Sequence, residues 1–401
     1  SFYADRFSKI IKEFGTEAKA EDLVTSIMII HYLERVGDMF LEIGEKIIYV
    51  IIGEKIKLEQ YKAMDRGLKA AGASNHLQPL DFRYIWGGRS GCRIGVVNAD
   101  GASTARTVVF KHGPASKLIK ERENLEIWST LRPGLTPAVQ AFVPASAGTE
   151  AALMLDFLQP RTLQSYFIEN SVQAALNGLR LAFTIMTDIW RDTAQEAPGP
   201  SNFSLQAQER LPEATILYPS LMKHQGGLNQ WRLRSIQDVL SQAIIAEEGL
   251  QAPFKCRIHG DFNLSNVLYN PENNAINLVD LYRSSLADYV QDVSVMMLSI
   301  IRLPLINSVD RRSLCQAALV VHALSERFAK EKNDSTFSAR LTFGLARSFI
   351  TSTRFVLEER LAARFVARAR YLWEKLIAHR QTNKSWIDFK TPLDIINVTL
   401  D

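Results

Sequence analysis

The sequence has few cysteines and no long apolar run. It contains three cysteines in 401 residues, far apart and without a C-x-x-C pair, which argues against a disulfide framework or a zinc cluster. No uncharged apolar run is long enough to form a transmembrane helix. The first residues lack the basic start and apolar core of a signal peptide. We therefore expect a cytoplasmic protein without a membrane span.

The sequence also lacks a strong charge of either sign. Its formal net charge is +4, and no Lys/Arg-rich run or basic-aromatic stripe suggests nucleic-acid binding. Hydrophobic residues make up 47% of the chain and charged residues 22%, which is typical of a globular protein. The length allows about two or three domains with sizeable cores.

The most informative segment is Ile258-His-Gly-Asp-Phe-Asn-Leu-Ser-Asn266, followed by Asn277-Leu-Val-Asp280. An Asp that faces an acceptor hydroxyl, with an Asn and a second Asp that can hold a hard cation, forms the catalytic half of a phosphoryl-transfer site. Asp261, Asn266 and Asp280 have this order and spacing. The alternative is a turn before an ordinary strand, with Asp280 as a helix cap.

With the motif His259-Gly260-Asp261, the chain resembles the aminoglycoside phosphotransferase and choline kinase families. The resemblance implies an enzyme that phosphorylates a small-molecule hydroxyl with ATP, with Asp261 as catalytic base and Mg2+ held by Asn266 and Asp280. It also implies that His259 orders the loop, and that one of Asp288 and Asp292 caps a helix while the other braces the catalytic loop.

One arginine near this segment has two interpretations. Arg283 lies three residues after Asp280. It either meets an anionic acceptor or pairs with Asp288.

The nucleotide half of the predicted site lies upstream. A glycine-rich turn comprises Gly87, Gly88, Ser90 and Gly91, and glycines let backbone N–H groups approach phosphates. Lys111 ends the strand Val108-Val-Phe-Lys111, as in the kinase strand whose lysine contacts the α- and β-phosphates. The resemblance implies that Glu123 pairs with this lysine, and Glu121 is the competing candidate.

The segment Leu153-Met-Leu-Asp-Phe-Leu158 resembles the hinge between kinase lobes. The resemblance implies adenine contacts from the backbone of Asp156 and Leu158. A plain buried strand is the other interpretation.

A long amphipathic helix is predicted before these motifs, over residues 22–52. It resembles part of a PhoU domain, a helical bundle of phosphate regulation, and Glu34 and Asp38 match the metal-binding pattern of that family. These two residues are candidate ligands for an additional metal, although a solvated acidic stripe explains them as well. The helices could also bind a protein partner or a second copy.

The predicted fold is α+β, a two-lobed protein-kinase-like fold with a small antiparallel β N-lobe and a mainly helical C-lobe, preceded by an all-α PhoU-like module. The predicted boundaries are 1–72 for the PhoU-like module, 73–80 for a linker, 81–158 for the N-lobe and 159–401 for the C-lobe. Helices are predicted at 164–191, 231–248, 284–302, 309–330 and 335–380.

An irregular insertion near 194–229 is expected to shape the acceptor pocket. Its composition is rich in Pro, Gly, Ser and Gln. The alternative function is regulatory, in which a nucleotide-sensing protein of phosphate signalling docks through its PhoU-like module.

Overall fold

The computed structural model describes most of the chain: residues 8–9, 12, 20–52, 58–71, 81–85, 92–100, 105–144, 149–223, 227–228, 231–232, 234–303, 308–356, 358–382 and 384–397. The chain divides into two compact units, Ser1–Arg122 with Ala138–Phe157, and Glu123–Pro137 with Leu158–Asp401. Within the described part, none of the helices has the length and hydropathy needed to span a bilayer.

The first unit contains an antiparallel five-stranded sheet. Its strands, with the order β1-β2-β3-β5-β4 across the sheet, are β1 (Asp81–Ile85), β2 (Arg93–Asp100), β3 (Ala105–Pro114), β4 (Val139–Pro144) and β5 (Glu150–Asp156). Strand β4 is not predicted from the sequence. That strand lies at the sheet edge and carries a register shift between Val139 and Ala141, which breaks the period-two pattern of a regular strand.

The first unit also contains helices. They are α1 (Ala20–Ile52), α2 (Leu58–Ala70) and α3 (Ala115–Leu131), the last of which continues into the second unit. The apolar face of α2 packs on the sheet, where Met64 and Leu68 join a core that includes Phe110 and Met154. Helix α2, which lies within the predicted 1–72 module, therefore covers the sheet of the first unit.

The long helix α1 confirms the predicted helical periodicity but not a bundle. Most of its described apolar side chains are exposed, including Leu33 at 64% and Phe40 at 70%, whereas Leu23 is buried. In the described part of the chain, helix α2 packs against it. The expected all-α module therefore has no described core of its own.

The second unit is mainly helical. Its helices are α4 (Leu163–Ile168), α5 (Val172–Asp192), α6 (Phe203–Leu217), α7 (Pro219–Lys223), α8 (Ile236–Glu247), α9 (Val290–Ile301), α10 (Ser308–Glu331), α11 (Phe337–Ser352), α12 (Glu359–Gln381) and α13 (Asp394–Asn397). Its short strands are β6 (Arg161–Thr162), β7 (Gly199–Pro200), β8 (Gly227–Leu228), β9 (Trp231–Arg232), β10 (Gln251–Ala252), β11 (Cys256–Ile258), β12 (Val267–Asn270), β13 (Ala275–Leu278) and β14 (Ser285–Ala287). The predicted small antiparallel sheet and mainly helical remainder are confirmed.

The predicted irregular insertion contains a regular helix instead. Helix α6 runs through Pro212 and buries Ala207, Leu211 and Ala214 along one face. The prolines and glutamines of this segment suggested a loop, yet the spacing of the small and apolar residues is helical. The prediction of little regular structure here was wrong.

A buried ion-pair network joins helices of the second unit. Arg340 on α11 is fully buried and pairs with both Asp288 and Asp334. The Tyr289 hydroxyl also donates to Asp334, at 2.7 Å. Because all these charges have partners inside the protein, the network fixes α11 against the start of α9.

Candidate active site

The catalytic loop, residues 259–266, follows strand β11, and one carboxylate binds its backbone. The backbone N–H groups of His259 and Gly260 both donate to Asp292 on α9, each at 2.8 Å. Asp292 is fully buried, and this burial raises its pKa to about 7, while the two N–H donors oppose the rise. Asp292 therefore braces the loop as predicted. Asp288 fills the expected capping role, because its carboxylate accepts the Val290 N–H at 3.0 Å.

His259 lies inside the loop and has a structural position. It is fully buried, its Nδ1 accepts the Asp261 N–H at 3.3 Å, and its Nε2 lies 3.1 Å from Val279 O. These contacts fit the neutral tautomer with the proton on Nε2. Burial lowers the pKa of His259, which also favours the neutral ring. The residue orders the loop, as the sequence predicts.

Position 260 requires glycine because the backbone of Arg283 lies very close to it. Its φ is +81°, and a Cβ at this position would lie 2.3 Å from the carbonyl oxygen of Arg283. A side chain would therefore have to displace the turn that follows Asp280. The glycine fixes Asp261 next to that turn.

Two asparagines hold the backbone around Asp261. Asn263 Nδ2 donates to the Asp261 carbonyl and to its Oδ1, both at 3.1 Å, and Asn266 Nδ2 donates to the same carbonyl at 2.9 Å. The amide group of Asn266 is thereby fixed by its nitrogen, and its oxygen is the acceptor end of the side chain. Asn263 has a positioning role that the sequence analysis did not assign.

Asp280 reaches the same region through a hairpin. Strands β12 and β13 pair so that Val267 lies opposite Leu278, and the Val279 N–H donates to Asn266 O at 3.1 Å. Asp280 follows directly with φ +65°, a left-handed conformation that is uncommon outside glycine. The charges of Asp261 and Asp280 both raise the pKa of His259, so both carboxylates belong to the surroundings of that ring.

The turn after Asp280 is supported by residues that the motif does not contain. Asn124 on α3 donates to Leu281 O at 2.8 Å and to Ser284 O at 3.1 Å. Trp128 Nε1 donates to Ser284 Oγ at 2.8 Å, and that hydroxyl donates to Ile258 O at 2.7 Å. Sequence reasoning missed Asn124 and Trp128 because they lie far from the motif in the chain.

Arg283 pairs with the predicted catalytic base. Its Nη1 lies 3.2 Å from Asp261 Oδ2, and its side chain is 42% exposed. The alternative partner, Asp288, pairs with Arg340 instead. A cation therefore lies directly beside the Asp261 carboxylate.

In the first unit, Lys111 forms a buried ion pair with Glu121. The predicted partner, Glu123, is exposed. Two residues along a helix differ by about 200° in direction, so the two glutamates face opposite sides of α3. The ion-pair partner of Lys111 is therefore Glu121, the competing candidate.

The other predicted nucleotide contacts are the glycine-rich turn and the backbone of Asp156 and Leu158. Gly87, Gly88, Ser90 and Gly91 lie outside the described residues. Asp156 ends β5, where its N–H donates to Ala138 O at 3.0 Å and its carboxylate accepts from Gln140 at 2.7 Å. This N–H is therefore bonded within the unit, and the adenine contact of Asp156 stays a prediction. Leu158 is partly buried.

Glu34 and Asp38 lie on the exposed surface of α1. His31 Nδ1 lies 3.9 Å from Glu34. Across the described residues, no three His, Cys, Asp or Glu side chains are placed to share a metal ion. An additional metal on this helix has no support in the structure.

A separate cavity of about 720 Å³ lies among helices α6, α7 and α8. Its lining includes Leu211, Pro212 and Leu240 and is mainly apolar. Neither Asp261 nor Asp280 lines it. The cavity falls partly in the segment expected to shape an acceptor pocket, but it is not the site of the predicted chemistry.

Replacing Asp292 with Asn should lower the free energy of unfolding by about 1–3 kcal/mol. The amide can accept only one of the two backbone N–H groups, and its NH2 would face the other. Urea denaturation of both proteins would measure the difference. Asp192→Asn is the control, because Asp192 is half-exposed in a surface pair with Arg132. Equal effects of the two changes would contradict the bracing role.

Comparison with protein families agrees with this site. Residues 217–319 match the model described as "Phosphotransferase enzyme family", and this segment contains Asp261, Asn266 and Asp280. A comparison with curated proteins gave no match. The sequence prediction of a phosphotransferase enzyme is confirmed by the family match, whereas none of the comparisons supports the resemblance to PhoU.

Several solved structures are similar at low identity. Aminoglycoside phosphotransferase APH(4)-Ia is 13% identical with a TM-score of 0.49, covering 73% of this chain and 93% of its own. Aminoglycoside-3'-phosphotransferase of type VIII is 16% identical with a TM-score of 0.46, covering 73% and 99%. Plasmodium vivax ethanolamine kinase is 10% identical with a TM-score of 0.40, covering 76% and 84%. These TM-scores are too low to support a functional argument, so the family match and the geometry of residues 258–284 carry the phosphotransferase assignment.

Proposed function

We propose that this protein transfers the γ-phosphoryl group of ATP to a hydroxyl group of a small molecule. In this reaction the bond between the γ-phosphorus and the β,γ-bridging oxygen breaks, and the acceptor oxygen forms a new bond to phosphorus. The hydroxyl proton passes to a carboxylate of the protein, and ADP leaves. The observation that carries the proposal is the braced loop in which Asn266 bonds to Asp261, together with the adjoining hairpin that leads to Asp280.

Asp261 is the proposed base. Its backbone is fixed by Asn263, Asn266 and His259, while its side chain is 24% exposed. A carboxylate that is held rigidly and still reaches solvent can receive the proton of a bound hydroxyl. Positioning of this kind accounts for much of the catalysis in phosphoryl transfer.

Asn266 and Asp280 are the proposed ligands for Mg2+. One amide oxygen and one carboxylate suit a hard cation that keeps several of its waters, and the β12–β13 hairpin places these residues at the same end of its ladder. A magnesium ion bound there would bridge the ATP phosphates and offset their charge.

Lys111 is the proposed phosphate ligand of the first unit. Its ion pair with Glu121 fixes the ammonium group in a buried position. A lysine held by a glutamate is the arrangement by which kinases contact the α- and β-phosphates. The proposal assigns the same contact to Lys111.

The test of this function is an activity screen. The protein is incubated with ATP, Mg2+ and fractionated metabolite pools, and ADP release and phosphorylated products are measured. The Asp261→Asn protein serves as the blank. Products that form equally with the blank, or no product from any pool, would overturn the proposal.

Replacing Asp280 with Gly should weaken Mg2+-dependent ATP binding by roughly 10- to 100-fold. Glycine accepts the left-handed backbone at this position, so the change removes the ligand without straining the turn. Calorimetry with and without Mg2+ gives the affinity. The matched control is Asn274→Gly, since Asn274 also has a positive φ of 51° but lies in the β12–β13 turn. If the magnesium dependence survives in the Asp280 variant, the metal lies elsewhere.

A further inference from the structure

Arg347 on α11 is a cation without a described counter-ion. Its Nε is buried and has no hydrogen-bond partner among the described residues. Its Nη2 donates to Ser294 Oγ at 3.2 Å, and its guanidinium carbon lies 5.4 Å from the centre of the Phe203 ring. A hydroxyl group and an aromatic face are weak substitutes for a carboxylate. Burial lowers the pKa of Arg347 to about 10, in keeping with the lack of a described carboxylate partner.

Arg340, two turns earlier on the same helix, is a buried arginine whose charge is compensated by carboxylates. It is completely buried and pairs with both Asp288 and Asp334. No ion pair of this kind involves Arg347 in the described part of the chain. An uncompensated charge inside a protein is costly, so its presence on α11 suggests an anion that is not part of the chain.

The unpaired arginine lies near the proposed base. The charge of Asp261 opposes the lowering of the Arg347 pKa, and the charge of Arg283 adds to it. Ser294, the hydroxyl partner of Arg347, donates to Gln291 O at 2.9 Å, and Gln291 Nε2 donates to Gly260 O at 3.1 Å. Arg283 bonds to Asp261 at 3.2 Å. Arg283 therefore contacts the proposed base directly, and a short chain of hydrogen bonds links Arg347 to the loop that carries this base.

The other carboxylates near Arg347 are already used. Glu247 accepts the hydroxyl of Ser201 and the N–H groups of Phe203 and Ser204. Asp292 accepts the two N–H groups of the catalytic loop. These acids cap a helix and brace a loop, and neither of them forms an ion pair with Arg347 in the described part of the chain.

We propose that Arg283 and Arg347 bind an anionic group of the acceptor, a carboxylate or a phosphate ester, and hold its hydroxyl at Asp261. The inference rests on the proposed function, because it names the acceptor class of that same site. Guanidinium groups bind both oxyanions through paired N–H donors. When the anion engages Arg283, the Asp261 carboxylate is released to receive the hydroxyl proton. An acceptor that carries an amine at this place would be repelled.

The test is a ligand-observed NMR titration without ATP. The probes are gluconate, glucose 6-phosphate, glucose and glucosamine, so that the first two distinguish carboxylate from phosphate ester and the last two give neutral and cationic references. At least one anion should bind about tenfold or more tightly than glucose. Arg347→Gln and Arg283→Gln should each remove about that advantage, and Arg347→Lys should keep part of it.

Matched variants separate the outcomes. Arg210→Gln, a surface change on α6 where Arg210 pairs with Glu213 at 3.0 Å, should leave all affinities unchanged. Arg283→Gln lies in an exposed position and provides the test if Arg347→Gln fails to fold. The inference is wrong if neither anion binds more tightly than glucose, or if the two arginine variants bind the anions like the unmodified protein. Because the titration needs no turnover, anion binding without phosphoryl transfer would overturn the proposed function and not the anion site.

Discussion

Replacing Asp261 with Asn is expected to lower kcat by about 10²- to 10⁴-fold. The amide keeps the size of the carboxylate and can still accept the hydrogen bond from Asn263, which now reaches Asp261 Oδ1 at 3.1 Å. It cannot take the hydroxyl proton, however, and it has no charge to hold Arg283. Since Asp261 is assigned to the acceptor, the affinity for MgATP should stay within a few-fold. Steady-state kinetics and calorimetry with MgATP would measure the two quantities.

The control for this variant is the same chemical change at a surface position. Asp188→Asn removes a half-exposed carboxylate that pairs with Arg191 on α5, and it should leave kcat unchanged. An Asp261→Asn protein that turns over like this control would remove Asp261 from the mechanism. A loss of ATP affinity as large as the loss of kcat would instead place Asp261 at the nucleotide.

Replacing Asp334 with Ala is expected to lower the free energy of unfolding by about 3–5 kcal/mol. Asp334 and Arg340 are both buried and paired, and Asp334 also accepts the hydroxyl of Tyr289. Alanine would leave the Arg340 guanidinium with Asp288 as its remaining carboxylate and the Tyr289 hydroxyl without its acceptor. Denaturant titration followed by circular dichroism would give the difference.

An exposed pair provides the comparison for this stability effect. Glu326→Ala breaks the pair with Lys330, 2.9 Å apart on the surface of α10, and should cost less than about 1 kcal/mol. If Asp334→Ala costs no more than Glu326→Ala, the buried network does not stabilise the second unit. The comparison also tests whether Arg340, unlike Arg347, depends on carboxylates of the chain itself.

The loop around Asp261 could be proposed from the sequence because its pattern is local. Asp261 and Asn266 lie in one short segment, and Asp280 follows the β12–β13 hairpin, so a pattern of nearby residues contains most of the geometry. The sequence also predicts structural roles for Asp288 and Asp292, but only the contacts show which of the two braces the loop. Motifs of this kind are readable because loop, turn and strand all lie within one stretch of chain.

Contacts between distant segments could not be predicted in this way. Glu121 and Glu123 both lie on the helix after Lys111, and only the packing of α3 decides which of them faces the lysine. Arg347 approaches Asp261 from a helix far along the chain and belongs to no motif. Helix α6 was hidden because Pro212 and its polar neighbours resemble a loop, while the burial of Leu211 depends on helices that pack against it.

The close approach of Gly260 to the carbonyl of Arg283 explains why the loop carries glycine between His259 and Asp261. Two stretches of backbone cross there with no room for even a methyl group. In any related chain that carries a larger residue at this position, the crossing must be wider and the turn after the residue equivalent to Asp280 must follow another path. A glycine between the histidine and the aspartate can therefore be used as a sequence marker for this crossing. Chains that share it should also place the residue equivalent to Arg283 next to the one equivalent to Asp261.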